Sequence, residues 1–489
     1  VINNIPVIDD WLNKNFIKDN NLVDWNNAIK NLHLFKDGKD NLSKSFRRLA
    51  FDELCANFFT LSDNRKRIKK EKKPKIFNSK NSKNIEKELS FTLTNSQKKV
   101  LTEINNDLSS KKRMFRIIQG DVGSGKTIVS LLAIANIIES GYQCALMGPT
   151  EILARQHFEL AKKILKNTNF KIDFITGKTE TNKRKKILIN LEEGKTNLLI
   201  GTHALFQKKI NFKKLGLVVI DEQHKFGVKQ RSELAKKGGN NCDVLLMSAT
   251  PIPRTMMMSI YGDMDVSKIT EKPAKRKNII TLSKPEKKIN ELWPFITKQI
   301  NKDNQIFWVC PLIEESSFLD YTSAKKKYDQ INKKYPNQVG LIHGALDKLD
   351  KENVLKKFLN RDISILVSTT VIEVGIDFPN ANLILIENAN KFGLAQLHQL
   401  RGRVGRGEKQ GTCILLFKDG LSKNAVKRIK ILKNSDDGFF IAEEDLKLRG
   451  FGDLVGYQQS GVKNFRFADP VIHEDLFNLA ENYVQKNLN

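Results

Sequence analysis

The sequence predicts an α/β protein with two doubly wound parallel sheets in tandem, because short apolar runs alternate with helical patterns and this alternation occurs twice. Runs that are apolar or β-branched throughout are typical of parallel strands covered on both faces. The predicted strands of the first sheet are residues 115–119, 144–147, 198–201, 217–220 and 244–247. Those of the second sheet are residues 306–310, 339–342, 363–367, 383–386 and 413–417. The polar stretch at residues 271–284 is the predicted boundary between the sheets.

Helical and basic segments flank the predicted sheets. Residues 1–64 are interpreted as short amphipathic helices, for example at residues 46–61. Residues 65–87 hold 11 basic and two acidic residues and are predicted to form a linker or a solvated helix, with phosphate binding as the alternative. The end of the chain is too rich in glycine for another sheet. We therefore expect a helical segment with its linker, two sheet domains and a glycine-rich C-terminal part, at residues 1–88, 89–272, 273–435 and 436–489.

Composition narrows the class of protein. The chain has 489 residues, of which 40% are hydrophobic and 28% charged, and this excludes a disordered chain, a fibrous protein or a single small binding module. The net charge of +28 suits a polyanionic partner such as nucleic acid. A coding bias toward lysine and asparagine would produce the same excess, so charge alone does not establish a binding surface.

Two further features concern the cellular setting. No run approaches the roughly 18 consecutive apolar residues of a membrane span, and residues 1–10 lack the pattern of a secretory signal. We therefore expect a cytoplasmic protein without a membrane partner. The five cysteines lie far apart and are predicted to be buried reduced thiols, not zinc ligands or disulfides. They are Cys55, Cys144, Cys242, Cys310 and Cys413.

A phosphate-binding loop is predicted at residues 120–127, GDVGSGKT, which fit G-x-x-x-x-G-K-S/T between a predicted strand and an apolar helix at residues 128–138. The main-chain N–H groups and the helix N-terminus would bind phosphates, Lys126 would reach the β- and γ-phosphates, and the Thr127 hydroxyl would ligate Mg²⁺. The predicted nucleotide-binding residues of the loop are Gly120, Asp121, Val122, Gly123, Ser124, Gly125, Lys126 and Thr127.

An acidic pair directly follows the predicted strand at residues 217–220. Beside a phosphate loop, Asp221 suits a Mg²⁺ ligand and Glu222 suits a group that polarises the attacking water. Such a pair alone is often a solvated strand end, and its combination with the loop favours a hydrolytic site.

Three arginines lie among glycines at residues 396–407, on a predicted helix and its exit. They are Arg401, Arg403 and Arg406. The planar guanidinium binds developing phosphoryl charge bidentately, and arginines supplied by a neighbouring domain serve as arginine fingers. A basic helix that binds the phosphates of another ligand is the alternative.

The order of these motifs over residues 91–407 resembles that of superfamily 2 helicases and translocases. Within that superfamily, four segments resemble the RecG-type family of branch-migrating DNA helicases. They are residues 149–157 (PTEILARQH), 221–231 (DEQHKFGVKQR), 249–255 (ATPIPRT) and 445–461 (DLKLRGFGDLVGYQQSG). The resemblance implies two tandem RecA-like domains followed by a translocation hairpin at the C-terminal segment.

The resemblance also implies roles for individual residues. Gln97 would read the adenine of ATP. The implied catalytic residues are Glu222, Gln399, Arg403 and Arg406, and the implied metal ligands are Thr127 and Asp221. The residues that would couple nucleotide state to lobe closure are His224, Ser248, Thr250, Gly375 and Asp377. The implied DNA contacts are Thr150, Arg155, Thr202 and His203, with Arg449 and Gln459 in the hairpin.

The implied function is ATP-dependent translocation on double-stranded DNA that remodels stalled forks and Holliday junctions in recombination and repair. ATP and Mg²⁺ are the implied cofactors, branched DNA is the implied partner, single-strand-binding protein is a candidate partner, and a monomer is expected. A translocase like the transcription-repair coupling factor, a superfamily 2 RNA helicase, and a non-catalytic protein that uses ATP as a conformational ligand remain alternatives. The N-terminal wedge domain of the family is not evident before Asn41, as expected of a fragment or of a divergent chain.

Overall fold

The structure is a computed structural model. It describes residues 7–34, 39–207, 209–222, 239–249, 251–253, 256–258, 264–273, 277–311, 317–369, 378–407, 409–449 and 465–487. Five predicted site residues lie outside the described residues, namely His224, Thr250, Gly375, Asp377 and Gln459.

The helices and strands are as follows, in chain order. The α-helices are α1 (Lys14–Asp19), α2 (Trp25–Leu34), α3 (Lys39–Ile68), α4 (Lys80–Glu88), α5 (Asn95–Ser109), α6 (Lys126–Glu139), α7 (Glu151–Ile164), α8 (Thr181–Glu192), α9 (Trp293–Ile300), α10 (Ser317–Lys334), α11 (Lys348–Leu359), α12 (Leu394–Arg401), α13 (Lys423–Asn434), α14 (Gly438–Arg449) and α15 (Glu474–Asn487). Short 3-10 helices occupy His203–Phe206, Gly239–Asn241, Glu286–Leu292 and Ala389–Lys391. The strands are β1 (Phe115–Gly120), β2 (Gln143–Met147), β3 (Ile172–Ile175), β4 (Leu198–Gly201), β5 (Leu215–Ile220), β6 (Asp243–Ser248), β7 (Asp265–Ile269), β8 (Ile280–Pro285), β9 (Gln305–Val309), β10 (Val339–Ile342), β11 (Ile365–Ser368), β12 (Ala381–Ile386) and β13 (Thr412–Phe417).

The chain divides into two units. One consists of Val1–Lys70, Ile252–Met264 and Leu446–Asn489, and the other of Glu71–Pro251 and Asp265–Asp445. The larger unit contains both sheets, and every pairing within them is parallel. The first sheet has the order β3-β4-β2-β5-β6-β1-β7, and the second has the order β10-β11-β9-β12-β13-β8. The predicted fold class of two tandem parallel-sheet domains is confirmed.

The apolar runs predicted every strand in the middle of the two sheets, and also β10, which lies at an edge of the second sheet. Every residue of β2, β5 and β6 is buried, as is almost all of α6, so these elements show no alternation of polar and apolar residues. The strands that the runs did not predict are β3, β7 and β8, and each lies at an edge of its sheet. Edge strands keep one side open, and β8 accordingly exposes 50% of Ile280 and 43% of Leu282. Strand β8 lies in the polar stretch that we predicted as a boundary, so that stretch is in part a strand.

Several helices begin at a capping residue, whose side-chain oxygen accepts a hydrogen bond from a main-chain N–H of the first turn. Thr94 accepts from the Gln97 N–H at the start of α5, and Thr150 accepts from the Leu153 N–H at the start of α7. Asp347 and Ser422 do the same for α11 and α13. The caps satisfy N–H groups that the first helical turn leaves without partners.

The N-terminal segment is built around α3, a single helix of 30 residues, so the prediction of only short helices in this segment is wrong. Leu54 and Phe58 on α3 pack with Phe477 and Ala480 of α15 in one apolar core. The buried Arg48 side chain donates to both carboxylate oxygens of Asp10, at 2.6 and 2.8 Å.

The basic linker is not a solvated connector along its whole length. Lys72 and Lys75 are buried, and both ammonium groups form ion pairs with the Asp243 carboxylate at the start of β6. The Lys72 to Asp243 distance is 2.7 Å. Burial lowers the pKa of Lys72, while the charge of Asp243 opposes that shift. These two lysines anchor the linker to the first sheet, so neither the solvated interpretation nor phosphate binding applies to them.

Two predictions from the sequence concern the state of the cysteines and membrane-spanning segments. All five cysteines are free and buried, as predicted, and burial raises the pKa of Cys55 and of Cys413 to about 12. Within the described residues, no helix combines the length and the apolar character needed to cross a membrane.

Candidate nucleotide site and nucleic-acid face

The predicted phosphate loop connects the end of β1 to the start of α6, in the first sheet domain. Gly123 and Gly125 have φ angles of 78° and 89°, in the left-handed region that favours glycine. A Cβ atom on Gly125 would also collide with the Gln97 amide. The backbone conformation therefore favours glycine at Gly125, and a larger residue would also displace the Gln97 side chain.

Lys126 points back into the loop. Its ammonium donates to the main-chain oxygens of Gly120 and Asp121, at 2.7 and 2.9 Å. Burial lowers the pKa of Lys126, and the charges of Glu222 and Asp221 counteract this shift. One cation thus lies within electrostatic reach of both members of the predicted acidic pair.

Gln97 connects helix α5 to the phosphate loop. Its Nε2 donates to the Ser124 main-chain oxygen at 2.7 Å, and its Oε1 accepts from the Thr94 N–H at 2.9 Å. The side chain is buried at the predicted nucleotide site. Its role in reading adenine stays a prediction.

Asp221 lies at the carboxyl end of β5, and both of its carboxylate oxygens are held. Oδ2 lies 2.8 Å from His157 Nε2, and Oδ1 accepts from the Glu222 N–H at 3.0 Å. Burial would raise the pKa of Asp221, but the hydrogen bond with His157 and the charge of Lys126 hold it below its ordinary value. Glu222 is buried and has a φ angle of 51°, so the chain turns sharply after the strand.

The donor set suits Mg²⁺. An ionised Asp221 carboxylate and the Thr127 hydroxyl are hard oxygen ligands beside a phosphate loop. Among the residues that the structure describes, no group of three or more His, Cys, Asp or Glu side chains could hold a metal ion alone.

Helix α12 of the second sheet domain lies directly against the phosphate loop. His398 Nε2 is 2.6 Å from Asp121 Oδ1, and Arg401 donates to His398 Nδ1 at 3.0 Å. Because Arg401 has only donors, Nδ1 must be the acceptor, and the His398 proton therefore lies on Nε2 and points to Asp121. Burial would raise the pKa of Asp121, but the hydrogen bond with His398 holds it below its ordinary value.

The predicted arginines Arg403 and Arg406 come directly after helix α12 in the chain. A Cβ atom on Gly402 would lie 3.3 Å from Val122 Cβ, so the end of α12 touches the loop. Arg403 is 2% exposed, and Arg406 Nε donates to the Gly402 oxygen at 3.2 Å. The charge of Arg406 is the smallest of the contributions to the lowered pKa of Lys126. Gln399 lies half-buried on the same helix.

Three of the predicted DNA-contacting residues line one cavity of about 540 Å³. Thr150, Thr202 and His203 come from the first sheet domain, and the opposite wall includes Lys351 and Glu352 of the second. Burial lowers the pKa of His203.

The fourth predicted contact, Arg155, does not line this cavity. Its guanidinium lies 5.0 Å from the centre of the Phe174 ring and 3.7 Å from the Glu151 carboxylate.

The remaining predicted residues lie at the ends of elements. Ser248 ends β6 and is aligned with Gln119 of β1, next to the loop. Arg449 ends α14. Helix α14 is attached to α12, because the Leu394 N–H donates to Asp445 Oδ1 at 3.0 Å.

Sequence reasoning missed the partners of the predicted residues. It gave no role to His157 or His398, although both stand within quoted motifs, because their carboxylate partners are 64 and 277 positions away in the chain. It also missed the ion pair of Lys178 with Glu352, at 2.8 Å, beside the cavity. No local pattern in the sequence predicts these pairings.

A phosphate loop on one parallel sheet, with helix α12 of a second parallel sheet packed against it, is typical of P-loop proteins with two RecA-like domains, the class that includes helicases and translocases. Family models agree with this class. Residues 94–259 match the DEAD/DEAH box helicase model, residues 287–408 match the helicase conserved C-terminal domain, and residues 435–484 match the C-terminal domain 3 of the ATP-dependent DNA helicase RecG.

Individual relatives identify the family. The ATP-dependent DNA helicase RecG of Aquifex aeolicus is 44% identical over 92% of this chain and 58% of its own length. That of Bacillus subtilis is 42% identical over 95% of this chain and 68% of its own length. A solved structure of RecG bound to a three-way DNA junction has a TM-score of 0.80 and 39% identity over 97% of this chain and 62% of that one. This chain belongs to the ATP-dependent DNA helicase RecG family, as its motifs indicated.

The match does not extend over the whole length of these relatives. The chain spans 58%, 57% and 56% of the RecG proteins of Aquifex aeolicus, Synechocystis and Thermotoga maritima.

Proposed function

We propose that this chain is the ATP-driven motor of a double-stranded DNA translocase and helicase that remodels branched DNA in recombination and repair. The observation that carries the proposal is the contact between the two sheet domains at the phosphate loop, where His398 meets Asp121 and Gly402 lies against Val122. Family membership supports the same function, and the RecG structure with a three-way DNA junction supports branched DNA as the substrate.

ATP would bind between the loop and α12. Lys126 would leave the Gly120 and Asp121 oxygens and contact the β- and γ-phosphates. Thr127 and Asp221 would hold Mg²⁺, which supplies charge neutralisation at the phosphates when bound.

Hydrolysis needs a polarised water and a counter-charge for the developing phosphoryl anion. Glu222 would orient the water, and Arg403 and Arg406 would stabilise the anion, with Gln399 on the same helix. Loss of the γ-phosphate removes the partner of the arginines, so the two domains would separate and the grip on DNA would move.

DNA would lie at the cavity that Thr150, Thr202 and His203 line, with Lys178 and Lys351 as nearby cations. Arg155 would contact the DNA backbone outside this cavity. In the C-terminal part, Arg449 and Gln459 are the proposed contacts of the translocation hairpin. The proposed coupling residues are His224, Ser248, Thr250, Gly375 and Asp377. The bounds of the four predicted segments, the monomeric state and the contact with single-strand-binding protein stay predictions.

The test is phosphate release from ATP by the purified chain with no nucleic acid, linear duplex, single-stranded RNA or a four-way DNA junction. We expect the junction to stimulate turnover most, and Glu222→Gln to abolish the signal as a control for contaminating enzymes. Equal turnover with and without the junction would contradict the proposal. Stimulation by RNA alone would favour an RNA helicase, and nucleotide binding without any phosphate release would favour the non-catalytic alternative.

A further inference from the structure

Helix α7 connects the proposed DNA cavity to the proposed metal site. Thr150, which caps the helix, and Glu151 in its first turn line the cavity. Two turns further on, His157 lies 2.8 Å from the carboxylate of Asp221. One helix of 14 residues therefore contacts both the proposed DNA cavity and the proposed metal site.

The contact of His157 with Asp221 is well defined. The His157 side chain is 9% exposed and that of Asp221 is 12% exposed, so water competes little for the hydrogen bond. The other oxygen of Asp221 accepts from the Glu222 N–H at 3.0 Å. With both oxygens held, the plane of the carboxylate is fixed. Removal of a residue that orients a metal-ligating carboxylate commonly lowers the affinity for the metal by about 10–100-fold.

Helix α7 is well packed along its length and should move as one rigid body, so a displacement at its first turn would also displace His157. Leu153, Ala154 and Ala161 are buried on its inner face. A Cβ atom on Gly148, which follows β2, would lie 2.9 Å from the Ala154 nitrogen, so the helix start is pressed against the strand end. At a rise of about 1.5 Å per residue, His157 is about 10 Å along the helix axis from Thr150.

We propose that His157 is a positioning residue that orients Asp221 for Mg²⁺, and that α7 makes this orientation depend on what occupies the cavity at its first turn. The second half of the proposal rests on the proposed function, since it takes the occupant of the cavity to be the DNA backbone. A phosphate bound at Thr150 pulls on the first turn of α7, and the rigid helix transmits the shift to His157.

The positioning role is tested by nucleotide binding without turnover. The purified chain is titrated with Mg²⁺ in the presence of a fluorescent, non-hydrolysable ATP analogue. His157→Leu removes the donor at similar volume, and we expect it to raise the Mg²⁺ concentration for half-maximal binding about 10–100-fold. His157→Gln keeps an N–H donor and is expected to restore most of the affinity. Analogue binding in EDTA should be the same in all three proteins.

Leu165→Ala is the matched control for loss of stability, because Leu165 is buried at the C-terminal cap of α7 and does not contact Asp221. We expect this variant to melt at a lower temperature with an unchanged Mg²⁺ requirement. A wild-type Mg²⁺ requirement in His157→Leu, or an equal rise in Leu165→Ala, would overturn the positioning role.

The coupling is tested by repeating the titration with a four-way DNA junction. We expect the junction to shift the Mg²⁺ requirement of the wild type and to leave that of His157→Leu unshifted, although both bind the junction by fluorescence anisotropy. An equal shift in both proteins would overturn the coupling. Absence of junction binding by the wild type would instead contradict the proposed function, and the titration without DNA would still decide the positioning role.

Discussion

Lys126 and Asp221 carry opposite charges in one buried site, and the pKa of each lies below its ordinary value for a different reason. For Lys126, burial favours the neutral amine, with the carboxylates of Asp221 and Glu222 opposing it. For Asp221, the hydrogen bond with His157 and the charge of Lys126 outweigh burial and favour the carboxylate. Each charge thus supports the other, and phosphates that enter the loop would add a second counter-charge for Lys126.

Two substitutions separate binding from hydrolysis at the residue scale. Lys126→Ala should abolish turnover and greatly weaken nucleotide binding, because it removes the cation that would meet the phosphates. Glu222→Gln should lower turnover by about 10²–10⁴-fold, because an amide cannot take a proton from water, and it should leave nucleotide binding nearly unchanged. Phosphate release and equilibrium binding of a labelled nucleotide measure the two effects. Wild-type turnover in either variant would refute the assignment of that residue.

At the scale of elements, continuous apolar runs identify every strand in the middle of a sheet but only one of the four edge strands, β10. The residues of β5 are buried throughout, whereas β7 alternates between buried and exposed positions and β8 exposes Ile280 and Leu282. Strands β7 and β8 are less completely buried and include polar residues, Ser267 and Lys268 in β7 and Ser283 and Lys284 in β8, which interrupt an apolar run.

The linker before α4 gives a prediction about stability. Asp243→Ala would leave the buried ammonium groups of Lys72 and Lys75 without their shared carboxylate. Removing one partner of a buried ion pair typically lowers the free energy of unfolding by about 3–5 kcal/mol. Urea unfolding followed by circular dichroism measures the change.

The matched control is Lys73→Ala, since Lys73 lies between the two lysines but is exposed. Its effect should stay within about 0.5 kcal/mol. If Asp243→Ala were as stable as this control, the linker would not be anchored by the ion pairs.

At the scale of the whole molecule, the described residues of the two sheet domains contact each other at more than one place. His398 and Asp121 meet at the phosphate loop, and Lys178 and Glu352 meet beside the proposed DNA cavity. The side chains of His398 and Asp121 are largely buried and shielded from solvent, whereas the Lys178 side chain is half-exposed. The contact at the loop should therefore be the stronger of the two, because solvent screens an exposed ion pair.

His398→Ala tests the contact at the loop. A hydrogen bond to a charged group contributes about 1.5–3 kcal/mol, so losing it should lower turnover about 10–100-fold if α12 is no longer held in place. Nucleotide binding through the loop should persist, and Asp121→Asn, which keeps an acceptor oxygen, should have a smaller effect. Steady-state ATP turnover checks the prediction, and an unchanged rate in His398→Ala would show that the arginines are positioned by other contacts.

The sequence by itself determined the central strands of both sheets, the phosphate loop and the membership of the helicase family, because each depends on residues that are close together in the chain. The loop needs its glycines at fixed positions, and a strand covered on both faces needs an unbroken apolar run. Only the tertiary structure decided which histidine holds which carboxylate, that Lys72 and Lys75 are buried, and where the sheet edges lie. These features depend on packing between segments far apart in sequence: His398 and Asp121 are 277 positions apart and meet only because the packing of the two sheet domains brings α12 onto the loop.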